Sequence, residues 1–199
     1  MANSHYNGEI VAGALLIRES RLIAEMLHQG LNKQEFDKAI LEDNILQKRS
    51  PATARRQTQL IRKRLLGLDP SLLSLVTEGS LEQATQAIFC AAIKHNHLIG
   101  DFLLKVVSLH MRTFKDQLSS LDWDTFFEDC THITPSIGLW SDSTKTKIRQ
   151  VVFRALAEAG VIDSTRSRRI IPFLLSPEVR TLLKTTNEPY VVQCLEALQ

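Results

Sequence analysis

The segment that most constrains the fold lies at residues 44–66, which carry seven basic side chains and no acidic one. Within it, Ser50 and Pro51 predict a helix start, because a serine hydroxyl can accept an unpaired backbone N–H and proline is tolerated at the first helical position. The other side of this helix offers apolar positions that can pack inward. We therefore expect an exposed helix over 50–66 whose positive charge is balanced from outside the chain.

The charges of this helix are predicted to share a side. Arg55 and Arg62 are seven residues apart, as are Arg56 and Lys63. Seven residues make nearly two helical turns with only about 20° of drift, so the members of each pair lie one above the other. Together the two pairs predict a single cationic ridge along the helix.

Length and composition limit the class of protein. A chain of 199 residues can form one large domain or two small ones, with a core that needs no disulfides. Its three cysteines are odd in number and far apart, which argues against a C-x-x-C metal or redox pair and favours a reducing, cytoplasmic setting. No apolar run approaches the roughly 18 residues that a membrane-spanning helix needs, so no membrane contact is expected.

A second basic segment lies at 144–169, where seven basic and two acidic residues give a net charge of +5. The net charge of the whole chain is only +2, because the remaining residues are acidic on balance, with −3 in 1–43, −6 in 67–143 and −1 in 170–199. Two basic segments within acidic surroundings are more informative than the total, and they indicate a polyanionic partner. We expect that the chain itself offers no anions that match the charge of either segment.

The N-terminal part of the chain carries a series of helix-start signals. The predicted caps are Ser20, Asn32 with Glu35, Asp69 before Pro70, and Ser80 with Gln83. A further helix is predicted over about 97–115. Six helices joined by short loops predict a helical bundle over 1–117, which carries the basic helix 50–66.

The C-terminal part, 118–199, predicts a different arrangement. A strongly amphipathic helix over 144–159, capped by Ser141 or Ser143, is followed by Gly160 as a left-handed stop. Two β-prone runs then flank a basic turn at 163–169, which predicts one short β-hairpin. The order helix, turn, helix, hairpin is typical of a winged helix-turn-helix domain, so the fold class is mostly all-α with one wing.

Several sequence blocks in this order resemble those of one protein family. They are GALLIRESRLIAEML at 13–27, ILQKRSPATARR at 45–56, HLIGDFL at 97–103, WDTFFEDC at 123–130 and WSDSTKTKIRQVVFRALAEAG at 140–160, running on into TRSRRI. The chain resembles the BrxA family, a small component of bacterial BREX phage-defence systems. This resemblance implies a mostly helical, non-enzymatic DNA-binding protein that acts beside a methyltransferase and ATPases.

The residues and the resemblance together predict a largely sequence-tolerant binder of double-stranded DNA. Arginine suits phosphate forks and lysine suits point-charge contacts, and no obvious pair of base-reading side chains is present. The candidate DNA-binding residues are Lys48, Arg49, Arg55, Arg56, Arg62 and Lys63 in the first segment, and Lys145, Lys147, Arg149, Arg154, Arg166, Arg168 and Arg169 in the second.

Other interpretations stay open at this point. Most charge runs are solvated surfaces, and the basic helix could instead dock an acidic surface of a larger defence component, which would make the chain an assembly adaptor. RNA is a third possible partner for a small basic helical protein. The carboxylates Asp122, Asp124, Glu128 and Asp129 favour a solvated surface over a metal site. No nucleophile elbow, phosphate loop or dinucleotide fingerprint occurs, so we expect no enzyme activity, no metal and no cofactor.

Overall fold

The computed structural model describes residues 6–199, which fold into a mostly helical protein. A 3-10 helix at Gly8–Ala12 precedes the α-helices, and π-helical turns at Lys38–Glu42 and Leu103–Val107 extend α2 and join α6 to α7. The α-helices are α1 Ile17–His28, α2 Lys33–Asp37, α3 Pro51–Leu66, α4 Pro70–Glu78, α5 Leu81–His95, α6 His97–Phe102, α7 Ser108–Arg112, α8 Ser120–Ile133, α9 Pro135–Gly138, α10 Asp142–Glu158, α11 Pro177–Thr185 and α12 Pro189–Glu196.

Most of the predicted helix starts are confirmed by their hydrogen bonds. The Ser50 side chain accepts from the backbone N–H of Thr53, and Ser141, one of the two predicted caps of α10, accepts from Thr144. Asn32 and Ser80 each form a capping box with the residue three positions on. These local signals are reliable because each cap satisfies N–H groups that the helix cannot pair itself.

Two predicted boundaries are wrong. Ser20 lies inside α1 and is buried, where its hydroxyl donates to the carbonyl oxygen of Leu15; the helix starts earlier, after Leu16 in a left-handed conformation (φ 54°). The helix predicted over 97–115 ends at Arg112, and Phe114 is 96% exposed with φ 57°. In both places the backbone adopts a conformation that few non-glycine residues take, so residue identity gave no signal.

Helix α5 lies at the centre of the core, since nine of its fifteen residues are buried. The core continues past the predicted lobe boundary at residue 117. The centre of the Phe102 ring on α6 lies 5.2 Å from the ring centre of Phe126 on α8 and 5.7 Å from that of Phe153 on α10. The division into lobes at 1–117 and 118–199 stays a prediction.

The predicted hairpin region contains isolated bridges within the part of the chain that the structure describes. Ile162 pairs antiparallel with Ile170, and Gln117 pairs antiparallel with Arg169. The backbone N–H of Leu118 also donates to the carbonyl oxygen of Arg168 at 3.0 Å. The basic turn is therefore held against the segment that precedes α8. A winged helix-turn-helix arrangement stays a prediction.

Candidate nucleic-acid interface

The basic helix α3 is fixed to the N-terminal segment by a buried cation. Arg64 is 3% exposed, and its guanidinium donates to the carbonyl oxygen of Ala14 and, at 3.4 Å, to that of Gly13. Burial lowers the pKa of Arg64 to about 10, which leaves it charged at neutral pH. Burying a charge is costly unless it is hydrogen-bonded, so these two contacts fasten this stretch of backbone to α3. The Arg64 Nε is buried and has no hydrogen-bond partner among the described residues.

The same stretch of backbone is also held by α10. One carboxylate oxygen of Glu158 accepts the backbone N–H of Leu15 at 2.8 Å, and the other accepts from the Arg154 Nε at 2.8 Å. Residues 13–16 therefore lie between α3 and α10, and each helix binds the segment through a charged side chain. This arrangement sets the relative position of the two basic segments.

A cleft of about 600 Å³ opens beside this contact, and we call it the basic cleft. Its floor includes Val11, Ala12, Gly13 and Ala14, and the side chains of α3, α10 and the basic turn form its walls. Five of the lining residues are basic and none is acidic; the basic ones are Arg56, Lys147, Arg149, Arg154 and Arg168. The two basic segments, which lie about ninety residues apart in the chain, thus meet at one site.

The five cations of the basic cleft differ in how far they are already engaged. Arg149 contacts Asp124 at 3.2 Å, and Arg154 contacts Glu158. Arg168 lies over the ring of Phe153 at 4.7 Å and donates to the Ser120 hydroxyl at 2.9 Å. Arg56 and Lys147 contact no carboxylate among residues 6–199.

An uncharged side chain adds to the polar lining of the cleft. The Gln57 Nε2 donates to the Ala12 carbonyl at 3.2 Å, which is a further link between α3 and the floor. Its Oε1 is buried and accepts no hydrogen bond from the described residues.

The other predicted site residues are spread more widely. Lys48 contacts Glu19 at 2.6 Å, Lys63 contacts Glu9, and Arg169 contacts Asp116 at 3.9 Å. The expectation that the chain itself supplies no counter-charge is therefore wrong for five of the thirteen candidates, Arg149 and Arg154 included. The carboxylates concerned are mostly distant in sequence, so a local charge count could not find them. Arg49, Lys145 and Arg166 have no carboxylate partner among the described residues.

The single cationic ridge predicted along α3 is divided between different surroundings. Arg56 lines the basic cleft, whereas Arg55 and Arg62 line a separate groove beside α2. The Arg62 guanidinium lies 4.6 Å from the centre of the Phe36 ring. Successive residues of a helix point about 100° apart, so neighbouring arginines reach different surfaces.

The sequence did not predict which residues hold the cleft together. Arg64 was counted with the other basic residues of 44–66 and was not predicted to be buried, and residues 13–16 carry no charged side chain. Glu158 left a weak signal, since it is the only acidic residue between 144 and 159 and lies four residues after Arg154. Its contact with Leu15 joins positions 143 residues apart, so only the folded chain reveals it.

The acidic residues of α8 have structural partners. Asp122 completes the capping box of α8 with Ser119 and contacts the His110 ring at 3.0 Å, while Asp124 contacts Arg149. Within residues 6–199, no group of three or more histidine, cysteine, aspartate or glutamate side chains is arranged to hold a metal ion. None of the helices formed by these residues is both long and apolar enough to cross a bilayer.

Comparison with known proteins gives consistent matches along almost the whole chain. A model of the BrxA family matches residues 4–187. The chain is 40% identical to the BREX protein BrxA of Paramagnetospirillum magneticum, over 98% of each chain, and 36% identical to that of Escherichia coli, over 95% of this chain and 89% of the relative.

A solved structure agrees with these sequence matches. A crystal structure described as that of an uncharacterized protein from Magnetospirillum magneticum superimposes with a TM-score of 0.86 at 38% identity. The match covers 96% of this chain and 98% of that one. Family and fold thus agree over the same residues, and the chain belongs to the BrxA family.

Proposed function

We propose that this protein is a non-enzymatic component of a BREX phage-defence system that binds double-stranded DNA through the basic cleft. The observation that carries the proposal is the meeting of both basic segments at one cleft whose lining contains five cations and no carboxylate. A site of this charge favours a polyanion, because counterions released from the phosphates add to the binding free energy.

Phosphate contacts account best for the composition of the cleft. Arg56 and Lys147 have no carboxylate partner in the part of the chain that the structure describes. They come from different helices, so they can engage the DNA backbone from two directions at once. Arg149 can add a forked contact if the phosphate displaces its exposed partner Asp124. Glu158, the partner of Arg154, is half-buried and also accepts from the Leu15 backbone, so Arg154 can contact a phosphate only while it keeps this pairing. Contacts of this kind fix the position of a duplex but read no sequence, which favours sequence-tolerant binding.

The remaining candidates would extend this contact unequally. Arg49, Lys145 and Arg166, which have no carboxylate partner within residues 6–199, are proposed to add phosphate contacts around the cleft. Lys48, Lys63 and Arg169 already have carboxylate partners, and Arg55 and Arg62 lie in the other groove, so their contribution should be smaller. In the winged-helix interpretation, α10 would face the duplex and the turn at 163–169 would lie along the backbone.

Membership of the BrxA family supports the cellular role. The relatives from Paramagnetospirillum and Escherichia coli carry the name BREX protein BrxA. We extend that role to this chain and propose that it acts in the cytoplasm beside the methyltransferase and the ATPases that the family resemblance implies.

The test is a salt titration of a random-sequence duplex. If the five cations of the cleft engage phosphates, the slope of log affinity against log salt should be about −4 to −5, at about 0.9 per phosphate. An RNA duplex of the same sequence, used as competitor, separates DNA from RNA binding. No detectable binding at low salt, or an affinity that ignores salt, would rule out the proposal.

A further inference from the structure

The side of α3 that faces away from the basic cleft carries a second concave surface. A groove of about 340 Å³ runs between α3 and α2 with its π-helical extension, and we call it the α2–α3 groove. Phe36 and Ile40 line it and are buried, while Leu41 and Leu66 supply further apolar surface. Most of the accessible lining of this groove is apolar, whereas most of that of the basic cleft is polar.

The groove leaves apolar surface in contact with solvent. Leu66, at the last position of α3, is 63% exposed although it lines the groove. Thr58 also lines the groove and is only 8% exposed. Its hydroxyl has no hydrogen-bond partner among the described residues. An exposed leucine beside an apolar groove is unfavourable in water and becomes favourable when a partner covers it.

The edge of the groove is positively charged. Arg55, Arg62 and Lys63 line it, against Asp37 as the one acidic lining residue. Lys63 is engaged by Glu9, whereas Arg55 has no carboxylate partner within residues 6–199 and Arg62 contacts the Phe36 ring. An occupant of this groove must therefore offer apolar side chains to the floor and carboxylates to the α3 edge.

We infer that the α2–α3 groove docks an acidic amphipathic helix of a partner protein. An amphipathic helix places its apolar residues at every third or fourth position into a groove and its charged residues along the sides. From Arg55 to Leu66 the groove edge follows about 16 Å of helix, which matches about three turns of a partner. Nucleic acid fits less well, because it has no aliphatic side chains to cover Leu66.

This inference goes beyond the proposed function and does not depend on it. The basic cleft and the α2–α3 groove share no lining residue. A duplex in the cleft and a helix in the groove could therefore be bound together, which would link DNA contact to a partner protein through one rigid helix.

The experiment uses the full isotope-labelled chain and synthetic peptides, observed by NMR. The probe is a helical peptide of about 14 residues with leucines along one face and glutamates along its sides. Two matched peptides replace the glutamates with lysines or scramble the order of the residues. We expect saturable amide shifts around Leu41 and Leu66 with the glutamate peptide, and at least tenfold weaker binding by the other two.

Variants then locate the contact. Leu66→Asp and Arg62→Glu should each lower the affinity for the glutamate peptide about tenfold, or about 1.4 kcal/mol. Leu139→Asp is the matched control, since Leu139 is 88% exposed and lies outside the groove. Arg56→Glu should leave peptide binding unchanged while it weakens binding of the duplex.

Several results would overturn the inference while leaving the DNA proposal intact. These are no saturable shifts at millimolar peptide, equal binding of the glutamate and lysine peptides, or equal losses in Leu66→Asp and Leu139→Asp. Competition between a DNA duplex and the peptide at the groove residues would instead make the groove part of a nucleic-acid site, which also contradicts it.

Discussion

The two sides of α3 carry the same kind of charge in different settings. On one side Arg56 enters the basic cleft, whose lining is mainly polar and basic; on the other, Arg55 and Arg62 lie along the α2–α3 groove, whose floor is apolar. Arg55 and Arg56 are adjacent in sequence, yet they serve different surfaces. Cations in a run therefore form a single interface only where the fold gives them the same neighbours.

The two surfaces also differ in how their walls are held. The basic cleft depends on charged contacts, because Arg64 on α3 and Glu158 on α10 both bind the backbone of residues 13–15. The groove depends on apolar packing of Phe36 and Ile40 against α3. Changes of charge should accordingly disturb the cleft more than the groove.

The largest expected effect comes from reversing the charge of the basic cleft. Arg56→Glu with Lys147→Glu should lower duplex affinity about a hundredfold, or about 2.7 kcal/mol, because both residues are cations of the cleft without a carboxylate partner among the described residues. Arg55→Glu with Arg62→Glu changes the net charge equally and should cost only about threefold, through the screened long-range field. Fluorescence anisotropy measures both affinities. Equal losses would show that the two sides of α3 form one DNA-binding surface.

Removing the buried cation tests whether the cleft depends on it. Arg64→Met should lower the free energy of unfolding by about 2–3 kcal/mol, since the carbonyl groups of Gly13 and Ala14 lose a buried donor. Arg56→Met, on the exposed part of the same helix, should change it by less than about 0.5 kcal/mol. Urea unfolding measures both. If Arg64→Met has the same free energy of unfolding as the native chain, then Arg64 does not hold the wall of the cleft.

Freeing a cation should have a smaller effect of opposite sign. Asp124→Asn removes the carboxylate that contacts Arg149, so duplex affinity should rise about two- to threefold, consistent with an exposed ion pair of about 0.5 kcal/mol. Asp129→Asn, on the same helix, is the control because it makes the same change of net charge without that contact. An equal gain in both variants would assign the effect to net charge rather than to the Arg149 contact.

The smallest expected effect concerns pH and the segment that leads into the cleft. Burial, aided by the nearby Arg64, lowers the pKa of His95 below its ordinary 6.5, although Glu9 lies 3.1 Å away. The neutral ring therefore donates from Nε2 to Glu9. Below pH 6.5 the unfolded chain binds a proton that the folded chain resists, so stability should fall as the pH drops.

His95→Gln tests this dependence directly. Between about pH 7 and pH 5, the free energy of unfolding should fall less in the variant than in the native chain. The hydrogen bond from Lys63 lowers the pKa of Glu9, so its own contribution is present above the ordinary value of 4.5 and is lost only at lower pH. Identical pH profiles of the two proteins would show that His95 does not couple protons to folding.

Local sequence predicted most helix starts correctly, but it did not predict unusual backbone conformations. Ser50, Asp69, Ser80 and Ser141 all cap the helices that they were predicted to cap, because capping is settled within three or four residues. Leu16 and Phe114 adopt left-handed conformations that no local pattern indicated. The caps therefore located most helix starts, while the two misplaced boundaries fell at unusual backbone conformations.

The candidate site was predicted only in part, for a related reason. Arg56, Lys147, Arg149, Arg154 and Arg168 were all among the candidates, and the structure brings these five together. Lys48 and Lys63 were taken to lack counter-charge, but they contact Glu19 and Glu9, which lie 29 and 54 positions away in the chain. Pairings at such separations depend on how helices pack, and a count of nearby charges does not include them.

Patterns along the chain were enough to predict the helical class, most of the helix caps, the two basic segments and the family, because these depend on neighbouring residues or on the order of blocks along the chain. The folded chain was needed to show that Arg64 turns inward, that Glu158 binds the backbone at Leu15, and that the two basic segments meet. The physical reason is that the energy of a charge depends on its neighbours in space, and packing brings together neighbours from distant parts of the chain.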